Sequence, residues 1–264
     1  MWGNPIGEML YESMRYFAGA TAPTTRFFDA PANSPGMQEE TAMGLTTETW
    51  LDPYQPTASG GLGYLSCAKP YQTIISDINP SYDSDLPGSP FTGAVTTVNN
   101  TPATIAGFDA AAQGQVIWNH EFGAGSRNVF IGEVAAGAND DAPTAKSASS
   151  LGNIRGLAPE EPGKLGTYNT ATVARYARVT DVNAISGAQN VSTFSVALAS
   201  PLPRIEFPIA GRTISLIPFA KTVSGTFGGD TRKPTNTIVD FYVENIVNLP
   251  GAPTVVAVNG GRPY

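Results

Sequence analysis

The stretch Tyr71–Asp85, YQTIISDINPSYDSD, sets three aspartates, Asp77, Asp83 and Asp85, behind a short apolar run. Carboxylates at this density do one of three jobs: they hold a hard cation, carry acid–base chemistry, or hydrogen-bond their own backbone in a polar loop. Mg²⁺ and Ca²⁺ take oxygen ligands, and Asp77, Asn79, Ser81, Asp83 and Asp85 could all offer them. The spacing is not that of an EF-hand, which needs a fixed Gly and a distal Glu. A cation loop and an Asx-turn loop therefore both fit these residues.

Other chemistries find less to use. His120, in WNHEFG, is the single histidine, and it lies outside any H-E-x-x-H pattern. No G-x-S-x-G elbow accompanies it, so it reads as a hydrogen-bonded packing residue beside Trp118 and Phe122. GTFGGD and GLG lack the strand–helix setting and the Lys-Ser/Thr of a phosphate loop, and read as turns. Glycosidase-type catalysis needs two acids held across a cleft. Glu160-Glu161 and Asp140-Asp141 are sequence neighbours whose side chains diverge, and they read as solvated loop acids or caps. The sequence is thus expected not to be an enzyme.

Charged residues make up 14% of the 264-residue chain, against roughly 25% in a typical soluble domain, and neutral polar and small residues take their place. That is the profile of an extracellular surface. The net charge of −7, with no Lys/Arg cluster, excludes nucleic acid and anionic membranes as partners. A lone Cys67 rules out an internal disulfide. No window reaches the roughly 18 apolar residues of a membrane span, and the N-terminus lacks a basic region followed by an apolar run. Either a cytoplasmic chain or a trimmed part of an exported one is expected.

The elements that must position these residues can be read from periodicity. Asn4 as cap and Pro5 at the first helical position open a helix, with Glu8 near its positive end and Ile6, Met9, Leu10, Met14 and Phe17 on one stripe. Residues 20–58 read as a long ordered loop, and 71–76 as a short strand buried on both faces. Residues 84–150 read as a β-rich or irregular insertion with strand-like pieces at QVIWNHEF and NVFIGEV. A helix follows at Tyr168–Arg178, capped by Thr167, with Tyr168, Thr172, Val173, Tyr176 and Ala177 on a stripe. Then come a strand in NVSTFSVALA, a hairpin of IEFPI and TISLIPFA turning at Ala210-Gly211, and strands in TIVDFYVENI and PTVVAVNG.

Helix, strand ending in an aspartate, helix, strand is the cadence of an α/β sheet, whose ligands sit at the carboxyl ends of strands. Asp77 occupies that position. Two such strands are too few for a complete sheet, so the expected fold is part of one, completed by another segment or chain.

NPIGEMLYESMRYFAG, CAKPYQTIISDINPSYD, GNIRGLAPEEPGKLGTYNTATVARYARVTD, QNVSTFSVALASPLPRIEFPIAGRTISLIPFAK and PTNTIVDFYVE together resemble the PilY-type family of type IV pilus tip-associated adhesins. They are spread along nearly all of the chain, and the run from Arg155 to Lys221 is the most specific. The resemblance implies an α/β fold, with a partial von Willebrand factor A-like domain at 1–200, carrying insertions at about 20–60 and 84–150, and a β-rich segment at 201–264. It implies a protein at the bacterial surface or pilus tip that acts in pilus assembly and attachment. The implied partners are pilus subunits, the rest of the same polypeptide, or another chain. In A domains a divalent ion is held by an Asp-x-Ser-x-Ser loop, a Thr before a helix, and an Asp ending a later strand. Asp77 matches the last of these, which makes it the candidate ligand for Mg²⁺ or Ca²⁺, ahead of Asp83 and Asp85. Asn4-Pro5 stands where the Thr is expected, and these residues contain no Asp-x-Ser-x-Ser. A free-standing secreted domain that binds a ligand or divalent metal through the acidic loop is the alternative reading.

Overall fold

A computed structural model of the chain describes residues 3–24, 43–44, 49–77, 79–91, 102–134, 138–198, 205–220, 225–227 and 230–232. Among them the fold is mixed α/β, in two packed parts and two small hairpins.

The first part is built on helix α1, Ile6–Phe17. Its inward stripe is Leu10, Tyr11 and Met14, all buried. The expected Met9 is turned outward and Tyr11 takes its place, because the stripe faces Phe108 as well as the neighbouring helix; the Tyr11 and Phe108 rings stand 4.7 Å apart. That neighbour is α3, Asn169–Val179, whose Val173, Tyr176 and Ala177 close the same core. Asn4 does not cap α1: the residue before the helix is Pro5, with no side-chain cap bond, and the Asn4 side chain is used elsewhere. Thr167 does serve the start of α3, its Oγ1 accepting from the Asn169 N–H at 3.0 Å.

Under the helices lie two parallel strands, β1 (Tyr71–Ser76) and β5 (Ser192–Ala197), in register from Tyr71 opposite Ser192 to Ser76 opposite Ala197. β1 is not buried on both faces as the sequence suggests. Gln72 is buried and Ile74 half-buried beneath the helices, whereas Tyr71 and Ile75 are exposed. The reason is that both helices pack on one face of this sheet, and no described element covers the other.

The second part lies mostly within the insertion expected at 84–150 and runs past it to Arg155. Its strands are β2 (Arg127–Val134), β3 (Ala138–Ala148) and β4 (Ile154–Arg155), in the order β3-β2-β4. QVIWNHEF, expected as a strand, instead forms most of helix α2, Ala110–Phe122. Asp109 caps it, its carboxylate accepting from the Ala112 N–H at 2.7 Å. The buried positions Ala110, Gly114 and Trp118 recur every fourth residue, but two of them are too small to register as apolar periodicity. Trp118 packs on Ile131, Val134, Ala148 and Ile154. Asp140 and Asp141 lie in β3, not in a loop.

The hairpin β6 (Ile205–Ile209) and β7 (Arg212–Leu216) forms as expected, with Ile209 opposite Arg212 across Ala210-Gly211. A second small hairpin joins β8 (Gly225–Phe227) to β9 (Asp230–Arg232). The strands expected in TIVDFYVENI and PTVVAVNG fall outside the described residues.

Candidate functional site

The carboxyl end of β1 is where the sequence places its best candidate. Asp77 directly follows the strand, is exposed, and accepts from the Asn79 N–H at 2.9 Å, an Asx turn. The Asn4 side-chain amide completes the arrangement, since its Nδ2 donates to Ser76 Oγ (2.8 Å), Asp77 Oδ1 (2.8 Å) and the Asn79 carbonyl (3.3 Å). Three oxygens thus converge on one nitrogen. Asn4 also donates its backbone N–H to Ser81 Oγ at 2.7 Å, and the Ser81 N–H returns to the Asn4 carbonyl at 2.9 Å. An ion held by these oxygens would have to displace the amide. Among the described residues no group of three His, Cys, Asp or Glu side chains is placed to hold a metal.

These contacts tie the head of α1 to the end of β1. Asn4→Ala is expected to lower stability by about 1–2 kcal/mol, the loss of this set of part-buried hydrogen bonds, read as a drop in urea midpoint at unchanged slope.

The other two aspartates part company. Asp83 is fully buried between the N-terminal ends of α1 and α3, not solvated in a loop. Its Oδ1 accepts from the Thr167 N–H at 2.8 Å, and its backbone carbonyl from Asn169 Nδ2 at 2.9 Å. Gly7 is required here, because a Cβ on it would stand 2.8 Å from Asn169 Cβ and 3.2 Å from Asp83 Oδ2. Burial pushes the Asp83 carboxyl up to about 7, against the pull of its bonds to Thr167. Asp85 is half-buried, and its N–H donates to Glu8 Oε1 at 2.9 Å.

Glu8 is the residue that the pattern of aspartates does not announce. It is buried, and that burial pushes its carboxyl up to about 8; the charges of Asp85, Asp83 and Glu12 add to the rise, and the Asp85 N–H opposes it. An acidic residue in the first turn of a helix signals a cap in sequence, and only packing tells that this one lies beneath the surface. Glu8 and Asp83 could exchange protons near neutral pH. Both are buried beneath α1, where Asp83 holds the Thr167 N–H and Glu8 the Asp85 N–H, which fits a structural clamp.

The remaining candidates disperse. His120 is exposed on α2, so it is not the packing residue expected. Glu160 and Glu161 are buried, not solvated: Glu160 accepts from Asn79 Nδ2 at 2.7 Å, and Glu161 pairs with Lys164 at 2.5 Å. Cys67 is exposed and free. Arg155 forms a close pair with Glu133 at 2.6 Å and lies over the Phe91 ring at 4.4 Å. Among the described residues no helix is long and apolar enough to cross a membrane.

Comparison with known proteins points to one family. Residues 1–177 match the family described as PilY1 homolog, second domain, and residues 207–264 match the one described as PilY1 homolog, beta-sandwich. The chain is 45% identical over 270 residues to a protein of Xylella fastidiosa (strain Temecula1 / ATCC 700964) named type IV pilus biogenesis factor PilY1 homolog. That match covers 100% of this chain and 18% of the relative. No solved structure matches the chain significantly.

Proposed function

The chain belongs to the family of PilY1 homologs, and from that premise we propose that it is a non-catalytic module of a type IV pilus-associated protein, acting outside the cell in pilus assembly and surface attachment. The observation that carries the reading is the match along the whole chain to a pilus biogenesis factor. The low charge and neutral polar composition agree with an extracellular setting. The proposal includes a location at the pilus tip, with pilus subunits as partners.

We further read the β1–β5 sheet as part of a von Willebrand factor A-like domain. Three features support it: the strands are parallel, α1 and α3 start at their carboxyl ends, and Asp77 stands where such a domain places an ion ligand. A divalent ion is not required by what Asp77 does here, since Asn4 already satisfies it.

The test is an in-frame deletion of residues 3–198 from the full-length gene in a piliated bacterium. Fewer surface pili and weaker attachment are expected, counted by electron microscopy and by an adhesion assay, with the shortened protein still exported. Unchanged piliation and attachment with an exported product would overturn the proposal.

A further inference from the structure

We propose that the free edge of β1 is the docking site for a parallel β-strand supplied by another part of the same full-length polypeptide. The proposal deepens the reading of the sheet as part of a larger domain and rests on it.

The ladder to β5 uses alternate residues. The Ser192 N–H donates to the Pro70 carbonyl at 3.1 Å, and the Leu198 N–H to the Ser76 carbonyl at 2.9 Å. In a parallel ladder the same phase assigns Gln72 and Ile74 to β5 as well. Tyr71, Thr73 and Ile75 therefore turn their N–H and C=O groups to the opposite edge, where no described strand lies. A groove of about 380 Å³ runs along that edge, between α1 and β1. Its lining is mostly apolar, with Ile6, Met9 and Leu10 above and Ile74 beside it. On the outer face Tyr71, Ile75, Phe194, Val196 and Leu198 are all more than half exposed, Ile75 at 78%. Parallel sheets are as a rule covered on both faces, and a two-stranded parallel sheet is too small to stand alone.

The chain's own path says where the missing strand belongs. Both helices lie on one face of the sheet, with α3 leading from the β1 side into β5 and α1 leading into β1. Crossovers between parallel strands are right-handed in about 98% of cases, so same-face crossovers step across the sheet in one direction. The step through α3 runs from β1 to β5. The step through α1 must then arrive from the other side, which is the free edge. A strand there would alternate its side chains between the groove under α1 and the outer apolar face. The relative is far longer than this chain, which covers 18% of it, so polypeptide to supply the strand exists in the family.

The test is hydrogen exchange by mass spectrometry on the full-length protein, following the six amides of Tyr71–Ser76. Docking predicts that all of them exchange slowly, those of Tyr71, Thr73 and Ile75 at least about a hundredfold slower than an unpaired amide. Fast exchange at those three, with Gln72 and Ile74 protected, would overturn the proposal. Protection that rises with protein concentration would assign the edge to a second copy and overturn it too. So would protection of all six in the 264-residue chain by itself. Thr73→Pro removes a donor at the free edge and none toward β5. It should speed exchange at Tyr71 and Ile75 and leave Gln72 and Ile74 slow, whereas an unpaired edge would accept it with no change. Loss of protection at Gln72 and Ile74 would mean that the variant misfolds, and the unsubstituted protein then decides. Protection at the edge with normal pili in the deletion strain would keep this inference and remove the pilus role.

Discussion

Gly114→Ala is expected to destabilise the α2–β-sheet part by about 3 kcal/mol, the upper end of the usual overpacking range. The sign is the informative part. In an exposed helix interior the same change stabilises by up to about 1 kcal/mol, because Ala restricts the unfolded chain and Gly does not. Here a Cβ on Gly114 would stand 2.3 Å from the Gly152 nitrogen and 2.5 Å from its Cα. Both obstacles are backbone, in the 3₁₀ turn Leu151–Asn153, and neither can swing aside as a side chain would. The helix must lift, and with it Trp118, which anchors the core of this part. Urea unfolding of the purified chain measures the change. A Gly114→Ala variant as stable as the parent would mean that α2 and the turn are farther apart than described.

The second large effect is a stability that falls as pH rises. Glu8 goes from an ordinary 4.5 to about 8 on folding, and Asp83 from 3.8 to about 7. In both cases burial disfavours the charged form, so the unfolded chain gives up its protons at lower pH than the folded one. Between about pH 4.5 and 7 the unfolded state therefore binds fewer protons, and each carboxyl removes up to about 1.4 kcal/mol of stability per pH unit. The contribution is fully present below pH 4 and gone above about pH 8. Between about pH 5 and 7 both carboxyls stay protonated in the folded chain and ionise in the unfolded one, so their losses add; above that, their mutual repulsion spreads the folded-state ionisation toward higher pH. Glu8→Gln keeps an oxygen for the Asp85 N–H and removes the titration. It should flatten the profile between pH 5 and 8 and raise stability most at its alkaline end. Urea midpoints across that range test this, and a slope unchanged by Glu8→Gln would place the proton linkage elsewhere.

The sequence made α1, β1, α3, β5 and the β6–β7 hairpin legible, because each carries its own period and its own end signals. Tyr176 and Ala177 of α3 are a clear case, two adjacent positions on a stripe repeated at helical spacing. It misread α2 because close backbone packing needs small residues, and Ala110 and Gly114 look polar-neutral to any apolar count. It placed Asp77 correctly at a strand end but could not see that Asn4, far away in the chain, supplies the amide that satisfies it.

What the amino-acid order determined by itself is local: most of the helices and strands (though not α2), the aspartate that follows β1, and the family to which the chain belongs. Which carboxylates meet water was decided by tertiary packing alone. Asp77 and Asp83 lie in one short acidic loop and look alike in sequence, yet one is exposed and the other sealed between two helix ends. Among the described residues the same packing leaves one face and one edge of a parallel sheet uncovered, a fact no periodicity records. Burial depends on what arrives from elsewhere in the chain, and a residue's neighbours in sequence do not carry that information.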